Sequence, residues 1–502
     1  MECESCNELT EIEANTGVQL EQLHERHRQA RVMRNYTHSP LIHQFPLEIV
    51  TYIFNLAFQP PQGCPWCSPW CTRDTEQRSP LVLTMVCHTW RALALSTPRL
   101  WSFMSVNAKE PNIPLLNHQI AHSGVVPLVV YLFGPDPGLP SAKQAMSLVI
   151  KLLHRTARLY LNFNEDDAMV CGSVSDLDYP KTAPFLKDLH FHAPDVGPTD
   201  PFQFKLAIEP PSPQEVHMDC ISFDHVCLDW TRVSSLTVDS SRIQMLPSAS
   251  ALTSLKHLVM LYGVTWDLLL EQRPVVSQSI QDVTHKHWDP RDFILAMTLP
   301  ALRSLDVDVT YVETLNPIIF DFLHRSLCPL QVLSIDYNGD DDAEEVIQAL
   351  ISILEITTGL QQLTLRLLDY SFDDLLPPPS FETLVRRLVS HDRDLLPILQ
   401  SLSLVTIFTP PIHLLLDAMA PNDPEVHNGP NRKWTLRTLD LELKIPPLNV
   451  GLIRPEILVQ ILQIREAEDK KISIRCAWTQ GRLSGSCDLI ESWKSYYGFR
   501  RD

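Results

Sequence analysis

A hexapeptide of the form L-x-x-L-x-L, with other apolar side chains admitted at its fixed positions, recurs eight times: LKDLHF (186–191), VSSLTV (233–238), LKHLVM (255–260), LRSLDV (302–307), LQVLSI (330–335), LQQLTL (360–365), LQSLSL (399–404) and LRTLDL (436–441). Residues two apart share one face of a strand, so the last two apolar positions of each copy describe a short strand with one buried side. A lone strand cannot bury that side. Stacked neighbours can, and the segments VETLNPIIFDFLHRSL, AEEVIQALISILEIT and SFETLVRRLVS supply the covering helices. The chain therefore reads as α/β, with an irregular solenoid over residues 181–502 whose parallel sheet lines a concave side. Spacing between copies is long and uneven, and the Pro-rich stretch from 194 to 216 marks an insertion or a missed unit.

In that arrangement the residues between and after the buried leucines point into the concave face. They are Asp239, Asp306, Asp308, Asp336, Asp440 and Glu442, set against Arg366, with His190 and His192 at one end. A predominantly acidic face would capture a basic segment of a protein substrate, helping encounter rate and selectivity more than affinity. The competing reading is that exposed strand positions in any acidic chain come out acidic. His190 and His192 share a strand face, but no third metal ligand accompanies them. The run DYNGDDDAEE lacks the Gly and the final Glu of a calcium loop at the required offsets; Asp342, with Glu345 three residues on, reads instead as a helix N-cap and its reciprocal partner.

Upstream, residues 107–180 alternate helix and strand. NIPLLNHQIAHSG and SAKQAMSLVIKLLHRTA read as helices, VVPLVVYLFG and RLYLNF as buried strands.

Residues 43–59, HQFPLEIVTYIFNLAFQ, read as a helix starting at Pro46, where the missing N–H costs nothing and Glu48 meets the positive end of the helix dipole. Ile49, Val50, Ile53, Phe54, Ala57 and Phe58 form an apolar face, and Leu47 and Leu56 widen it beyond what one neighbouring helix can cover. The segment SPLVLTMVCHTWRALALSTPRLWSFMSV (79–106) adds two short helices. Ser79–Pro80 starts the first, over Leu81–Cys87, and Thr97–Pro98 ends the second, over His88–Ser96, which carries Trp90, Leu93 and Leu95. A unit this small buries only about 60% of its unfolded surface. Part of its apolar surface must face something else.

The series Phe45-Pro46-Leu47-Glu48-Ile49, Ile53-Phe54, Leu81, Val86-Cys87, Trp90-Arg91, Leu93 and Leu100-Trp101 resembles the F-box, a three-helix motif that docks on a Skp-type adaptor. VCHTWRALALSTPRLW is especially similar to the ending common in fungal members, and the match covers residues 43–106. It departs from the usual pattern in having Phe45 where Leu is usual and a Cys/Pro-rich insertion over residues 59–78. The resemblance implies that Pro46, Leu47, Ile49, Ile53, Phe54, Leu81, Val86 and Trp90 are the adaptor contacts or their immediate support. Packing beneath the C-terminal region is the alternative for the same residues. The repeats resemble leucine-rich repeats, with the usual turn Asn in one unit, at Asn338. Together the two resemblances imply a non-catalytic substrate receptor of a Skp-cullin-F-box ubiquitin ligase, which raises the substrate's effective concentration at the ubiquitin carrier. A binding scaffold whose F-box does not serve ubiquitin transfer is the other reading.

Composition removes several other classes. Formal net charge is −19, from 60 acidic against 41 basic side chains, which opposes nucleic-acid backbones and anionic lipid. With only 15 glycines, neither phosphate-cradling motif occurs, and there is no G-x-S-x-G or H-E-x-x-H, so no enzyme and no cofactor is expected. No apolar run reaches the ~18 residues of a membrane span, and the acidic start MECESCNELTEIE is unlike a secretory signal, which predicts an intracellular protein of cytoplasm or nucleus. Twelve scattered cysteines fit reduced thiols. Cys64, Cys67 and Cys71, with Cys3 and Cys6, have the elements of a zinc site, but nothing brings the two groups together, so no metal is expected. Within residues 1–42 a polar helix is predicted over 18–34; its cluster Arg26, Arg28, Arg31 and Arg34 reads as a solvated face, a nuclear-import address or a partner-binding face.

Overall fold

A computed structural model of the chain describes residues 4–38, 45–58, 80–107, 110–133, 140–162, 180–192, 205–219, 226–239, 252–261, 275–286, 290–339, 341–367, 379–389, 395–406, 436–443, 455–466, 470–480 and 483–490, with a few isolated positions besides. The chain divides into two units. The first comprises Met1–Val170, Val174–Leu186 and Leu206–Glu209; the second comprises Cys171–Ser173, Lys187–Lys205 and Pro210–Asp502. Among the described residues no helix is long and apolar enough to cross a membrane.

The first unit opens with helix α1, Glu4–His38. It is twice the length expected from residues 18–34 because no proline interrupts it before Pro40 and its polar surface is tied lengthwise. Arg28 donates twice to the Glu25 carboxylate at 2.7 Å, Gln29 donates to it at 2.9 Å, and the Thr16 hydroxyl reaches back to the Ile12 carbonyl.

Helix α2 spans Leu47–Ala57. Pro46 sits at its cap position, one step earlier than the first-turn placement expected, and its carbonyl accepts from the Ile49 and Val50 N–H groups. Helix α3 (Leu81–Val86) and helix α4 (His88–Leu95) are separated by one extended residue, Cys87, whose Sγ accepts from the Trp90 N–H. At the start of α3 Pro80 holds the cap position, and Ser79 lies outside the described residues. A 3-10 turn, Pro98–Trp101, follows. These helices close over Val50, Phe54, Leu83, Ala94, Leu100 and Trp101, with Phe58, Leu81, Trp90, Leu93 and Leu95 packed at the margin. Trp101 is fully buried, and its indole N–H donates to the Ala94 carbonyl at 2.8 Å, so the largest side chain of this core leaves no unmet donor.

Strand β1 (Phe103–Asn107), helix α5 (Ile113–His122), strand β2 (Leu128–Phe133), helix α6 (Pro140–Leu152) and strand β3 (Thr156–Asn162) complete this unit. The helix and strand alternation expected over 107–180 is present, and β1, which the sequence reading missed, pairs in parallel with β2 as β2 does with β3. Arg155 fixes the turn after α5 by donating to the Ser123 hydroxyl and to the Ser123 and Val126 carbonyls.

The second unit is a run of parallel strands in chain order: β4 (Asp188–His192), β5 (Glu215–Asp219), β6 (Ser235–Asp239), β7 (His257–Met260), β8 (Asp282–His285), β9 (Ser304–Val309), β10 (Val332–Tyr337), β11 (Gln362–Leu367), β12 (Ser401–Thr406), β13 (Thr438–Leu443) and β14 (Lys471–Gln480). Each pairs in parallel with the next, and β15 (Leu483–Asp488) turns back antiparallel on β14. All eight hexapeptides carry a strand. The register aligns their second apolar position across the sheet, as in Leu305↔Leu333↔Leu363↔Leu402↔Leu439, and each of these leucines is at most 1% exposed.

Helices α7 (Arg291–Ala296), α8 (Phe320–Ser326), α9 (Ala343–Ile356), α10 (Pro379–Val389) and α11 (Pro455–Glu466) lie between strands, and α9 alone buries Val346, Ile347, Leu350, Ile353 and Leu354. Asp342 caps α9 as expected, accepting from the Glu344 N–H at 2.7 Å. Just before it the chain passes so close to its neighbour that a Cβ at Gly339 would lie 2.1 Å from the Thr310 carbonyl oxygen. The architecture is mixed α/β with a long parallel sheet.

Candidate functional site

In the second unit, alternation along each strand sends the leucines to the core and their neighbours to the opposite face. On β9 the core residues are Leu305, Val307 and Val309, which leaves Asp306 and Asp308 on the other side; on β10 Asp336 takes the equivalent place. Register then assembles a row, Asp308↔Asp336↔Arg366↔Val405↔Glu442↔Arg475, with Asp306 and Asp440 in the row beside it. All six acidic residues singled out from the sequence lie on strands of this sheet, with Asp239 at the end of β6, 7% exposed.

Cations missed in the sequence stand among them. Lys286, directly after β8, donates to Asp306 at 2.7 Å and to Asp308 at 2.9 Å. Burial alone would lower the Lys286 ammonium, but the hydrogen bonds and charges of the two aspartates outweigh it and the net direction is up. Arg475 on β14 lies 3.0 Å from Asp440 and 3.6 Å from Glu442, and Arg366 lies 3.4 Å from Asp336. The face keeps its acidic excess, the six carboxylates singled out against three cations, but forms a charge ladder in which Lys286, Arg366 and Arg475 each pair with acids. Neither new cation follows a recognised hexapeptide, since β8 and β14 read DVTH and KISIRCAWTQ. The signal available was the position, one residue past a buried strand side chain, His285 for Lys286 and Ile474 for Arg475.

Asp336 holds the least satisfied carboxylate of the ladder: its Oδ1 is buried without a hydrogen-bond partner, and burial with the Asp308 charge pushes its carboxyl up despite Arg366 and Lys286.

At the β4 end, His192 Nδ1 is hydrogen-bonded to Asp219, and His190 stacks on His217 with ring centres 5.3 Å apart. Burial pushes His217 down to about 4, Asp219 working against that shift and His192 with it. Among the described residues no group of three or more His, Cys, Asp or Glu is placed to hold a metal ion. Cys3, Cys64, Cys67 and Cys71, with the whole insertion over residues 59–78, lie outside the described residues.

The first unit presents a different surface. Of the residues singled out there, Phe54 is core, 3% exposed, and packs against Trp90 with ring centres 4.7 Å apart and the rings tilted by 52°. Ile53, Leu81 and Trp90 are half-buried, while Pro46, Leu47, Ile49 and Val86 are exposed. Phe54 thus supports this face from behind. Phe45, Leu56, Val82 and Met85, not singled out as contacts, are as exposed as the others, Met85 at 78%. Arg91 fixes α4 against α3 by donating to the Thr84 carbonyl at 2.7 Å. The result is a set of large apolar side chains on α2 and α3 left exposed outside the core that Val50, Phe54 and Leu83 enter from the same helices.

No protein-family model and no curated protein matches the chain.

Proposed function

We propose that the chain is the substrate-recognition subunit of a Skp-cullin-F-box ubiquitin ligase. In this reading α2, α3 and α4 form an F-box that docks on the Skp-type adaptor, and the strand array of the second unit is a leucine-rich-repeat-like domain that holds the substrate protein. The observation that carries it is the exposure of the large apolar side chains Leu47, Ile49, Leu56, Val82, Met85 and Val86, each at least 43% exposed beside a core that includes Val50 at 0% and Phe54 at 3%. Covering such half-exposed side chains is worth on the order of 1 kcal/mol each, before the cost of association, which is ample for a specific helical interface. The residue series that resembles the F-box runs through the same helices. The acidic excess of the charge ladder supports a substrate with a basic segment, its cationic groups addressing Asp336, whose Oδ1 has no hydrogen-bond partner.

The test is co-purification of the full chain with a Skp-type adaptor and a cullin. Both are expected with the native chain and neither with an Ile49→Asp/Val86→Asp variant, whose exposed positions leave folding intact. Adaptor without cullin would favour a scaffold that does not serve ubiquitin transfer; no adaptor at any concentration would defeat the reading.

A further inference from the structure

Helix α1 runs for 35 residues, and every side chain from 11 to 34 is exposed. Its charge is divided lengthwise. Between residues 4 and 21 there are five glutamates and no Lys or Arg; between 22 and 38 there are four arginines against one glutamate. Its apolar residues are sparse: Ile12, Leu20, Leu23 and Ala30 fall within an arc of ~80° at 100° per residue, while Val18, Val32 and Met33 lie outside it. Ile12, Leu20 and Leu23 are 60%, 58% and 67% exposed.

A helix that is acidic at one end and basic at the other, with an apolar stripe between, is complementary to itself read backwards. We propose that α1 pairs antiparallel with α1 of a second copy of this chain. Placing Leu20 of one copy against Leu23 of the other brings Ile12 to within one residue of Ala30 and lays the glutamate half of each helix along the arginine half of its mate. A parallel pair would set glutamates on glutamates and arginines on arginines. Two-fold pairing also uses both halves of the helix at once, since each supplies what the other lacks. The stripe is thin and the charges are exposed, so the dimer is weak and loosens with salt.

Sedimentation of the full-length chain tests this. A dimer is expected at low ionic strength, dissociating as salt is raised. Glu11→Lys/Glu13→Lys and Arg31→Glu/Arg34→Glu should each weaken it by roughly tenfold. Mixing the two charge-reversed chains should restore native strength as a heterodimer, and Leu20→Asp/Leu23→Asp should abolish pairing while leaving the thermal midpoint of the rest of the chain in place. A monomer at every concentration, a dimer indifferent to both charge reversals, or a mixture as weak as its parts would each overturn the proposal. So would a dimer lost only in Ile49→Asp/Val86→Asp, which would put the interface on the apolar face of α2 and α3.

Discussion

Asp336 and Arg366 are register partners on neighbouring strands, with Arg366 Nη1 3.4 Å from Asp336 Oδ2, yet the other oxygen of the same carboxylate is buried without a partner. The pair is a compromise in which burial costs more than the guanidinium returns, because the Asp336 carboxyl is pushed up overall.

A carboxyl whose folded pKa exceeds its unfolded value binds protons more readily when folded, so its contribution to stability falls as pH rises through the window between the two. Asp336→Asn should therefore be more stable than the native chain at pH 7, with the difference vanishing below about pH 4, where the unfolded carboxyl also protonates. Denaturant unfolding at both pH values measures this. A variant less stable at pH 7 would mean that the Arg366 pair outweighs the burial cost.

Lys286 holds two carboxylates with a side chain only 18% exposed. Lys286→Met should cost about 2 kcal/mol by leaving Asp306 and Asp308 without their shared cation. Adding Asp306→Asn and Asp308→Asn should recover most of the loss, which a double-mutant cycle would read as strong coupling.

Trp101 sets the stability of the three-helix region. Trp101→Ala should cost about 3–5 kcal/mol through the cavity it leaves. Trp101→Phe keeps most of the volume but strands the Ala94 carbonyl, and should cost about 1–3 kcal/mol. Calorimetry on both variants would show the larger loss for the first.

Two glycines should respond in opposite directions. At Gly339 a methyl group would lie 2.1 Å from the Thr310 carbonyl oxygen and 2.4 Å from the Tyr337 hydroxyl, which is itself held by Asp341. Gly339→Ala should lower stability by about 1–3 kcal/mol. At Gly17, inside α1, nothing lies within 4 Å, and Gly17→Ala should raise helix content by circular dichroism, with a gain of up to ~1 kcal/mol.

The strand array was legible because a leucine that must be buried every second residue leaves a mark that tertiary context cannot erase: Leu305, Leu333 and Leu363 were placed correctly from spacing alone. Strands β5, β8 and β14 escaped because their core positions are filled by Val216 and Met218, Val283 and His285, and Ile472 and Ile474, without the leading leucine. β1 escaped because Met104 and Val106 give only two beats of alternation at the end of a helical stretch. The charge ladder was half legible. The acids lie inside the recognised strings or one residue past them, whereas Lys286 and Arg475 reach them from elements the strings do not mark. On α2, periodicity predicted that the apolar arc exceeds one neighbour, but it could not separate Phe54, which fills the core, from Ile49, which stays in water. That division depends on where α4 brings Trp90.

Among the described residues β15 is the last strand, and it alone runs against the direction of the strands before it, so the parallel order that joins β4 to β14 is reversed at this edge. Duplicating a strand-and-helix module between two parallel strands would repeat a pairing the sheet already makes at every step from β4 to β14, whereas a strand added against β15 would meet an edge of the opposite direction.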